Sequence, residues 1–346
     1  MAMKCVFFLL MASSLLLLPA LGQEVVDLYS DLQSCDVTVA GTGAGDLLKL
    51  ELFSSGKVLQ SRTLALDGPG TWVARWDKMP STEGSYSARA TLFRNGSLLS
   101  EKSIDFHHGG RVPVKFDVRD YQADSSGFHL LIYSPDLAIV DIYHMLIKDG
   151  KALYVARESP VSISDGIRNI DFDWKQLLVR GEQYSGRIKI VEKETGQTRA
   201  FMSSFLARED ARITDTYEDE TGASATILGK SMTPFHGFLR FLLSQDERSL
   251  ATLEKKTPVL LKGDDETIEV SWNKTLNPGI YQLKIQLLGT EGDLIDFTER
   301  VIEAKARTNL TAVKTETPKD SSSSMILGLL GLVAFAGIIY VIRGRR

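Results

Sequence analysis

Trp76, Trp174 and Trp272 stand 98 residues apart, and each opens the same phrase of sequence. After Trp76 come Gly84, Tyr86, the alternating run Ser-Ala-Arg-Ala-Thr-Leu-Phe, the turn Arg94-Asn95-Gly96-Ser97 and an extended stretch to Phe106. After Trp174 come Gly181, Tyr184, Ser-Gly-Arg-Ile-Lys-Ile-Val, the turn Glu194-Thr195-Gly196-Gln197 and a stretch to Leu206. After Trp272 come Pro278-Gly279, Tyr281, Gln-Leu-Lys-Ile-Gln-Leu-Leu, a turn around Gly292 and a stretch to Ile302. A chain with this period is built from one unit used three times. Apolar residues with period two put one face of each strand in a core and the other in water. Glycine two or three residues before the tyrosine predicts a corner with positive φ, and Gly96, Gly196 and Gly292 predict hairpin closures.

A second hairpin precedes each tryptophan. In the first copy Leu47 to Phe53 and Val58 to Leu66 flank Ser55-Gly56-Lys57; in the second Ile139 to Ile147 and Ala152 to Ala156 flank Asp149-Gly150-Lys151. The third has Phe238 to Leu243 and Leu250 to Leu253 around Gln245-Asp246-Glu247, where the glycine is missing. Earlier still lie Val25 to Leu28 and Asp36 to Ala40, Pro113 to Val118 and Phe128 to Ser134, and Arg212 to Thr216 and Ala223 to Leu228. About seven short strands per roughly 98 residues describe an immunoglobulin-like β-sandwich, so the fold class is all-β with three tandem sandwiches over residues 23–111, 112–208 and 209–306. The Gly-x-Tyr phrase of the first and third copies resembles the tyrosine corner that opens the sixth strand of such domains, while their paired cysteines are absent. The pattern over residues 24–306 resembles the tandem immunoglobulin-like or fibronectin-III-like repeats of prokaryotic, especially archaeal, surface proteins that carry a C-terminal membrane anchor. That resemblance implies a fold and says little of function.

The two ends imply export and anchoring. Residues 1–22 carry Lys4, an apolar run from Cys5 to Leu18 and the small residues Ala20 and Gly22 before Gln23, the layout of a cleavable signal peptide. Residues 325–342 hold no charge, and at about 1.5 Å per residue this stretch reaches about 27 Å as a helix, enough for one span with help from its flanks. Arg343, Arg345 and Arg346 follow directly and predict a cytoplasmic tail at residues 343–346. Between them, residues 307–324 are rich in Ser and Thr, poor in apolar residues, and read as a stalk. The expectation is a single-pass type I protein with the bulk of the chain extracytoplasmic.

Hydrophobic residues make up 43% of the chain and charged residues 24%, with a net charge of −4. This is the composition of a folded protein, and its mild acidity argues against nucleic acid as a partner. Cys5 leaves with the signal, so Cys35 is the mature chain's one cysteine and no internal disulfide can form. Its place in the alternating run Ser34-Cys-Asp-Val-Thr-Val-Ala suits a buried thiol.

No constellation carries a catalytic, cofactor or metal motif. The acidic run from Asp215 to Gly222 puts Glu220 where a calcium loop needs glycine, and Gly41-Thr-Gly43-Ala-Gly45-Asp46 lacks the third glycine and the helix of a phosphate-binding turn, leaving a hairpin turn as its reading. His107, His108, His129, His144 and His236 are scattered without ligand spacing. Asn95, Asn273 and Asn309 head N-x-[ST] sequons at predicted turns or in the stalk and are candidate glycan acceptors. The longest predicted loops lie near 158–167 and 217–223. The expected function is a non-enzymatic structural or adhesive surface protein with an unidentified protein or envelope-glycan partner. An accessory subunit of a membrane complex, and an extracytoplasmic carbohydrate-binding module or enzyme, are the alternatives.

Overall fold

Strands form where β-branched and aromatic residues alternate with polar ones, and they stop where the turn residues stand. The computed structural model describes residues 22–77, 82–109 and 115–305. The signal segment up to residue 21, the stalk with Asn309, the apolar segment 325–342 and the tail lie outside them. The described residues up to Ala304 belong to one compact unit. Among the described residues no helix is long and apolar enough to cross a membrane.

The first copy comprises β1 (Glu24–Ser30), β2 (Ser34–Ala40), β3 (Leu47–Ser54), β4 (Lys57–Ala65), β5 (Gly70–Arg75), β6 (Gly84–Arg94) and β7 (Ser97–His108). The second comprises β8 (Asp117–Ala123), β9 (Gly127–Ser134), β10 (Ala138–Lys148), β11 (Lys151–Ile163), β12 (Gly166–Asp173), β13 (Gln183–Glu192) and β14 (Thr198–Leu206). The third comprises β15 (Ala211–Glu218), β16 (Gly222–Gly229), β17 (Phe238–Gln245), β18 (Arg248–Lys256), β19 (Asp265–Ser271), β20 (Gly279–Leu288) and β21 (Leu294–Ala304).

Each copy folds into the same two antiparallel layers. Strands one, two and five form one sheet, and four, three, six and seven the other: β1-β2-β5 over β4-β3-β6-β7, β8-β9-β12 over β11-β10-β13-β14, and β15-β16-β19 over β18-β17-β20-β21. In the constant-type immunoglobulin arrangement the fourth strand lies beside the fifth; here it stays with the third. Tight two-residue turns explain this. Ser55-Gly56 (φ 49° and 74°) and Asp149-Gly150 (50° and 80°) have both central residues at positive φ, the geometry that holds a hairpin on the twist of its own strands. Asp246-Glu247 closes the third copy's hairpin in the same conformation, at 49° and 65°, without a glycine.

The repeat markers sit in three separate cores. Trp76 and Tyr86 pack with Leu48, Leu50 and Leu92, Trp174 and Tyr184 with Phe128, Ile188 and Phe205, and Trp272 and Tyr281 with Phe241, Leu283 and Ile285. Each indole N–H then needs an acceptor. Trp174 donates to the Asp124 carbonyl (2.7 Å) and Trp272 to the Asp219 carbonyl (3.1 Å), while Trp76 donates to Ser30 Oγ (3.1 Å). The turns thus held are alike. Asp31 Oδ1 accepts from the N–H groups of Gln33 and Ser34, Asp124 Oδ1 from Ser126 and Gly127, and Asp219 Oδ1 from Thr221 and Gly222. The tyrosine corners form as expected in two copies: Tyr86 Oη donates to the Thr82 carbonyl (2.8 Å) and Tyr281 Oη to the Asn277 carbonyl (2.9 Å). In the second copy Tyr184 Oη instead accepts from the Val179 N–H (3.1 Å).

Several expectations are corrected. Positive φ at the glycine before the tyrosine holds for Gly181 (78°); Gly84 (159°) is close to extended, and at Gly279 a Cβ would stand 2.9 Å from Gln245 Nε2. The expected strand from Pro113 begins at Asp117. Residues 158–167 are mostly strand, because β11 runs on to Ile163 and β12 starts at Gly166, and 217–223 shrinks to the three-residue turn between β15 and β16. Gly41 to Asp46 is not a hairpin turn: β2 and β3 belong to different sheets, and the segment crosses between layers. There Asp46 anchors it, accepting from the Gly43 N–H (2.9 Å) and from Arg94 Nε and Nη2 (2.6 and 2.7 Å).

Candidate functional site: the junctions between the sandwiches

Successive residues of a strand point to opposite faces, so each strand of β10 and β13 that feeds a core also presents an outer face. On β13 Ile188 and Ile190 enter the core of the second sandwich, and Arg187 and Lys189 face away from it. On β2 Cys35, Val37 and Val39 fill the first core, and Ser34 and Asp36 face away. These two outer faces meet. Arg187 Nη2 donates to Asp36 Oδ1 (2.7 Å), Lys189 Nζ to Asp36 Oδ2 (2.8 Å), and Arg187 Nη1 to Ser34 Oγ. The side chains are withdrawn from solvent, at 0% for Arg187, 4% for Asp36 and 10% for Lys189. The Tyr29 ring lies 5.8 Å from the guanidinium and 5.3 Å from the ammonium. Burial, reinforced by nearby Asp31, pushes its phenol well above the ordinary value.

Apolar contact surrounds this charge cluster, with Val73 of β5 packed on Met145 and Ile147 of β10 and on Met202 of β14. At the tip of the β10–β11 hairpin Lys151 pairs with Trp72, and the Val73 N–H donates to the Gly150 carbonyl at 2.7 Å. One β-ladder contact therefore joins β5 to β11 and makes a seven-stranded sheet across the two copies. In the first pair, then, the outer face of one sheet lies on the outer face of the next copy's sheet.

The second junction is built from backbone. Only Ala207–Asp210 separates β14 from β15, and Ala207 and Glu209 are buried. The Met232 N–H donates to the Ser125 carbonyl (2.8 Å), the Leu178 N–H to the Met232 carbonyl (3.0 Å), and the Arg208 N–H to Ser125 Oγ (2.8 Å). Lys262 of the third sandwich reaches Asp173 and the Ser126 carbonyl of the second. Glu209 accepts from the Thr290 N–H (2.8 Å), Thr290 Oγ1 (2.9 Å) and the His236 N–H (3.3 Å), with Arg180 3.6 Å away. Burial alone would raise its pKa; the Thr290 and His236 bonds and Arg180 outweigh that and hold the carboxyl below its usual value. The linker backbone is tied down on both sides, the Ala207 N–H donating to the Glu182 carbonyl, the Asp210 N–H to Ser231 Oγ and the Lys230 N–H to the Asp210 carbonyl.

Both junctions open on clefts. One of about 440 Å³ lies between Tyr29, Asp31, Phe106 and His107 on one side and Arg199 and Phe201 on the other. Another of about 720 Å³ is lined by Ser125, His129, Arg208, Arg212, Lys230 and Lys262.

Ser126, His129 and Asp171 have the connectivity of a hydrolytic triad, with His129 Nε2 3.2 Å from Ser126 Oγ and Nδ1 2.8 Å from Asp171 Oδ1. The geometry fails the chemistry. Asp124 Oδ2 stands 3.4 Å from the same Nε2, so a second acceptor competes with Ser126 Oγ for that nitrogen. The nearest backbone donors, the N–H groups of Ser126 and Gly127, are given to Asp124, and Asp171 is 65% exposed.

Of the other residues singled out by sequence, Asn95 and Asn273 are exposed at turns. Cys35 is buried and its thiol is pushed up chiefly by burial. His144 is buried in the core of the second sandwich, and His236 meets Glu209 at the second junction. Within the acidic run Asp219 is committed to its turn, where the Thr221 hydroxyl and N–H hold its carboxyl below the ordinary value. Among the described residues no three His, Cys, Asp or Glu side chains are grouped to hold a metal ion. Sequence reasoning missed Asp36, Arg187 and Lys189. The available signal was the charges inside Ser-Cys-Asp-Val-Thr-Val-Ala and Gly-Arg-Ile-Lys-Ile, but such positions read as a solvated face until a second surface covers them.

The fold and its junctions define a tandem β-sandwich protein of immunoglobulin-like topology. No protein-family model and no curated protein matches the chain. Among solved structures it is similar to the tetra-tandem repeat in the extending region of a large adhesion protein, at 11% identity over 83% of this chain and 75% of that one, with a TM-score of 0.25. It is also similar to trypsin-activated alpha-2-macroglobulin from Escherichia coli, at 14% identity over 83% of this chain and 23% of that one, with a TM-score of 0.22. A third is dimeric latent PorU from Porphyromonas gingivalis, at 11% identity over 83% of this chain and 33% of that one, with a TM-score of 0.23. At TM-scores of this size the matches say nothing of partners or activity.

Proposed function

We propose that this is a non-enzymatic surface protein, exported and held by a single C-terminal span, whose three sandwiches act as one preorganised structural or adhesive unit. The observation that carries the reading is the construction of the junctions. A string of independent modules needs only flexible linkers, whereas this chain buries an Asp36–Arg187–Lys189 cluster at one junction and bonds the linker backbone at the other. Preorganised spacing of surfaces lowers the ordering cost of binding and transmits load without unfolding a linker. The sequence features at the two ends support export and anchoring.

Protease treatment of intact cells tests the reading, with cleavage of residues 23–306 expected and their full protection overturning it. Purification in mild detergent with native mass spectrometry tests the mode of action. A protein running alone fits a structural or adhesive role, and stoichiometric membrane partners shift the role to an accessory subunit.

A further inference from the structure

Tyr184 and Tyr281 are equivalent, so Arg187 and Lys284, three residues on, occupy the same outward position of the four-stranded sheet. The rows that run across the sheet there are Met145–Arg187–Met202 in the second sandwich and Leu242–Lys284–Glu299 in the third. In the second sandwich this face is covered: the first sandwich lies on it, with Val73 on Met145 and Asp36 on Arg187. The third sandwich keeps the pattern of an apolar residue beside a cation, yet its face is open. Phe297, Val301 and Ile280 point outward from it at 51%, 59% and 67% exposure, and Val301 and Ile280 are diagonal neighbours across β20 and β21. Large apolar side chains gathered on one face of a sheet mark an interaction surface.

The charges on this face say what fits it. Arg240 Nε bonds to Glu254 Oε2 (3.0 Å) and Lys284 Nζ to Glu299 Oε1 (2.9 Å), and the Lys284 ammonium lies 4.7 Å from the Phe297 ring. Among the outward residues, Arg240 and Lys256 against Glu254 leave the β17–β18 half positive, and Lys284 against Glu299 and Glu303 leaves the β20–β21 half negative. The face as a whole is neutral. A partner of either net charge gains from one half and is repelled by the other, whereas a second copy of the same face, turned about an axis parallel to the strands, sets each half on its opposite. An axis across the strands would set like on like. Stacking of the kind seen at the first junction is not repeated here, because that contact takes an aspartate from the three-stranded sheet. Five residues on from the equivalent turns at Asp31, Asp124 and Asp219, the position of Asp36 is held by His129 in the second sandwich and Ser224 in the third.

We propose that the protein forms a homodimer in which the β18-β17-β20-β21 sheets of two copies pack face to face, β21 of each over β17 and β18 of the other. Phe297 of one copy then lies against Phe238 and Arg240 of its partner, in the aligned packing of two sheets. With the two-fold axis along the strands, both chains leave the dimer from Ala304 in the same direction. The dimer requires neither export nor anchoring.

The test is the mass of the full chain in detergent, read by sedimentation velocity over a range of micromolar concentrations. A concentration-dependent dimer is expected. Phe297→Glu and Val301→Glu, each at an exposed position of the single chain, are expected to raise the dimer Kd roughly tenfold or more. Leu153→Glu, at a similarly exposed position of the second sandwich (44%), is expected to leave it unchanged. If one of the two β21 variants does not fold, as read by tryptophan fluorescence, the other decides alone. A chain that stays monomeric at every concentration overturns the proposal. So does a dimer that neither folded β21 variant weakens, which would place the contact elsewhere, as in the apolar segment 325–342.

Discussion

Replacing Asp36 with alanine would leave Arg187 at the first junction without its carboxylate and Lys189 with only Asp27, 4.0 Å away and exposed. Arg187 is fully buried and Lys189 nearly so, and removing one partner of a buried ion pair costs about 3–5 kcal/mol, because the remaining charge stays desolvated. With a urea dependence of about 1.5 kcal/mol per molar for a domain of this size, the transition of the first sandwich should fall by roughly 2–3 M. The junction has its own reporter. The Val73 N–H bonds to the Gly150 carbonyl of the second sandwich, so its hydrogen exchange should quicken on the order of 100-fold or more if the loss is about 3 kcal/mol. Joint replacement of Asp36, Arg187 and Lys189 by Leu, Met and Met should recover most of the loss, since apolar groups of similar volume carry no charge to desolvate. An Asp36→Ala protein with an unchanged urea midpoint and unchanged Val73 exchange would refute the claim that this cluster locks the junction.

Glu247 sits at φ 65° in the β17–β18 turn, a conformation that costs a side-chain-bearing residue about 1–2 kcal/mol; Glu247→Gly should stabilise the third sandwich by roughly 0.5–1 kcal/mol after the entropy of glycine is counted, visible as a higher urea midpoint. Burial lowers the pKa of His144 from 6.5, with Lys175 adding to the effect and Glu158 opposing it. The unfolded chain therefore takes up a proton before the folded one, and the stability of the second sandwich, full above pH 6.5, should decline as pH falls below it; His144→Leu should flatten that slope in urea midpoints measured from pH 7.5 to 5. Asn95 and Asn273 are exposed at turns, so in a host that glycosylates exported sequons each should carry a glycan mass that Asn→Gln removes, read by intact-mass spectrometry.

The repeat of Trp76, Trp174 and Trp272 by itself determined three sandwiches and most of the strands in each, because period-two patterning and turn chemistry are local properties that need no second surface. It marked six strands per copy and left unplaced the strand that leads into each tryptophan, β5, β12 and β19, where alternation is weak. The turn at Asp246-Glu247 shows the limit of turn chemistry: without glycine it reads poorly, yet the strands on either side impose the same backbone. What only the tertiary structure decided is which face of each sheet stays wet. Asp36, Arg187 and Lys189 alternate with core residues like any solvated charges, and His144 alternates like any core residue. A strand's own pattern records only that its two faces differ. Whether the polar face meets water, another sandwich or a ligand depends on contacts between residues some 150 positions apart, as the separation of Arg187 from Asp36 shows, and those contacts have no local signature.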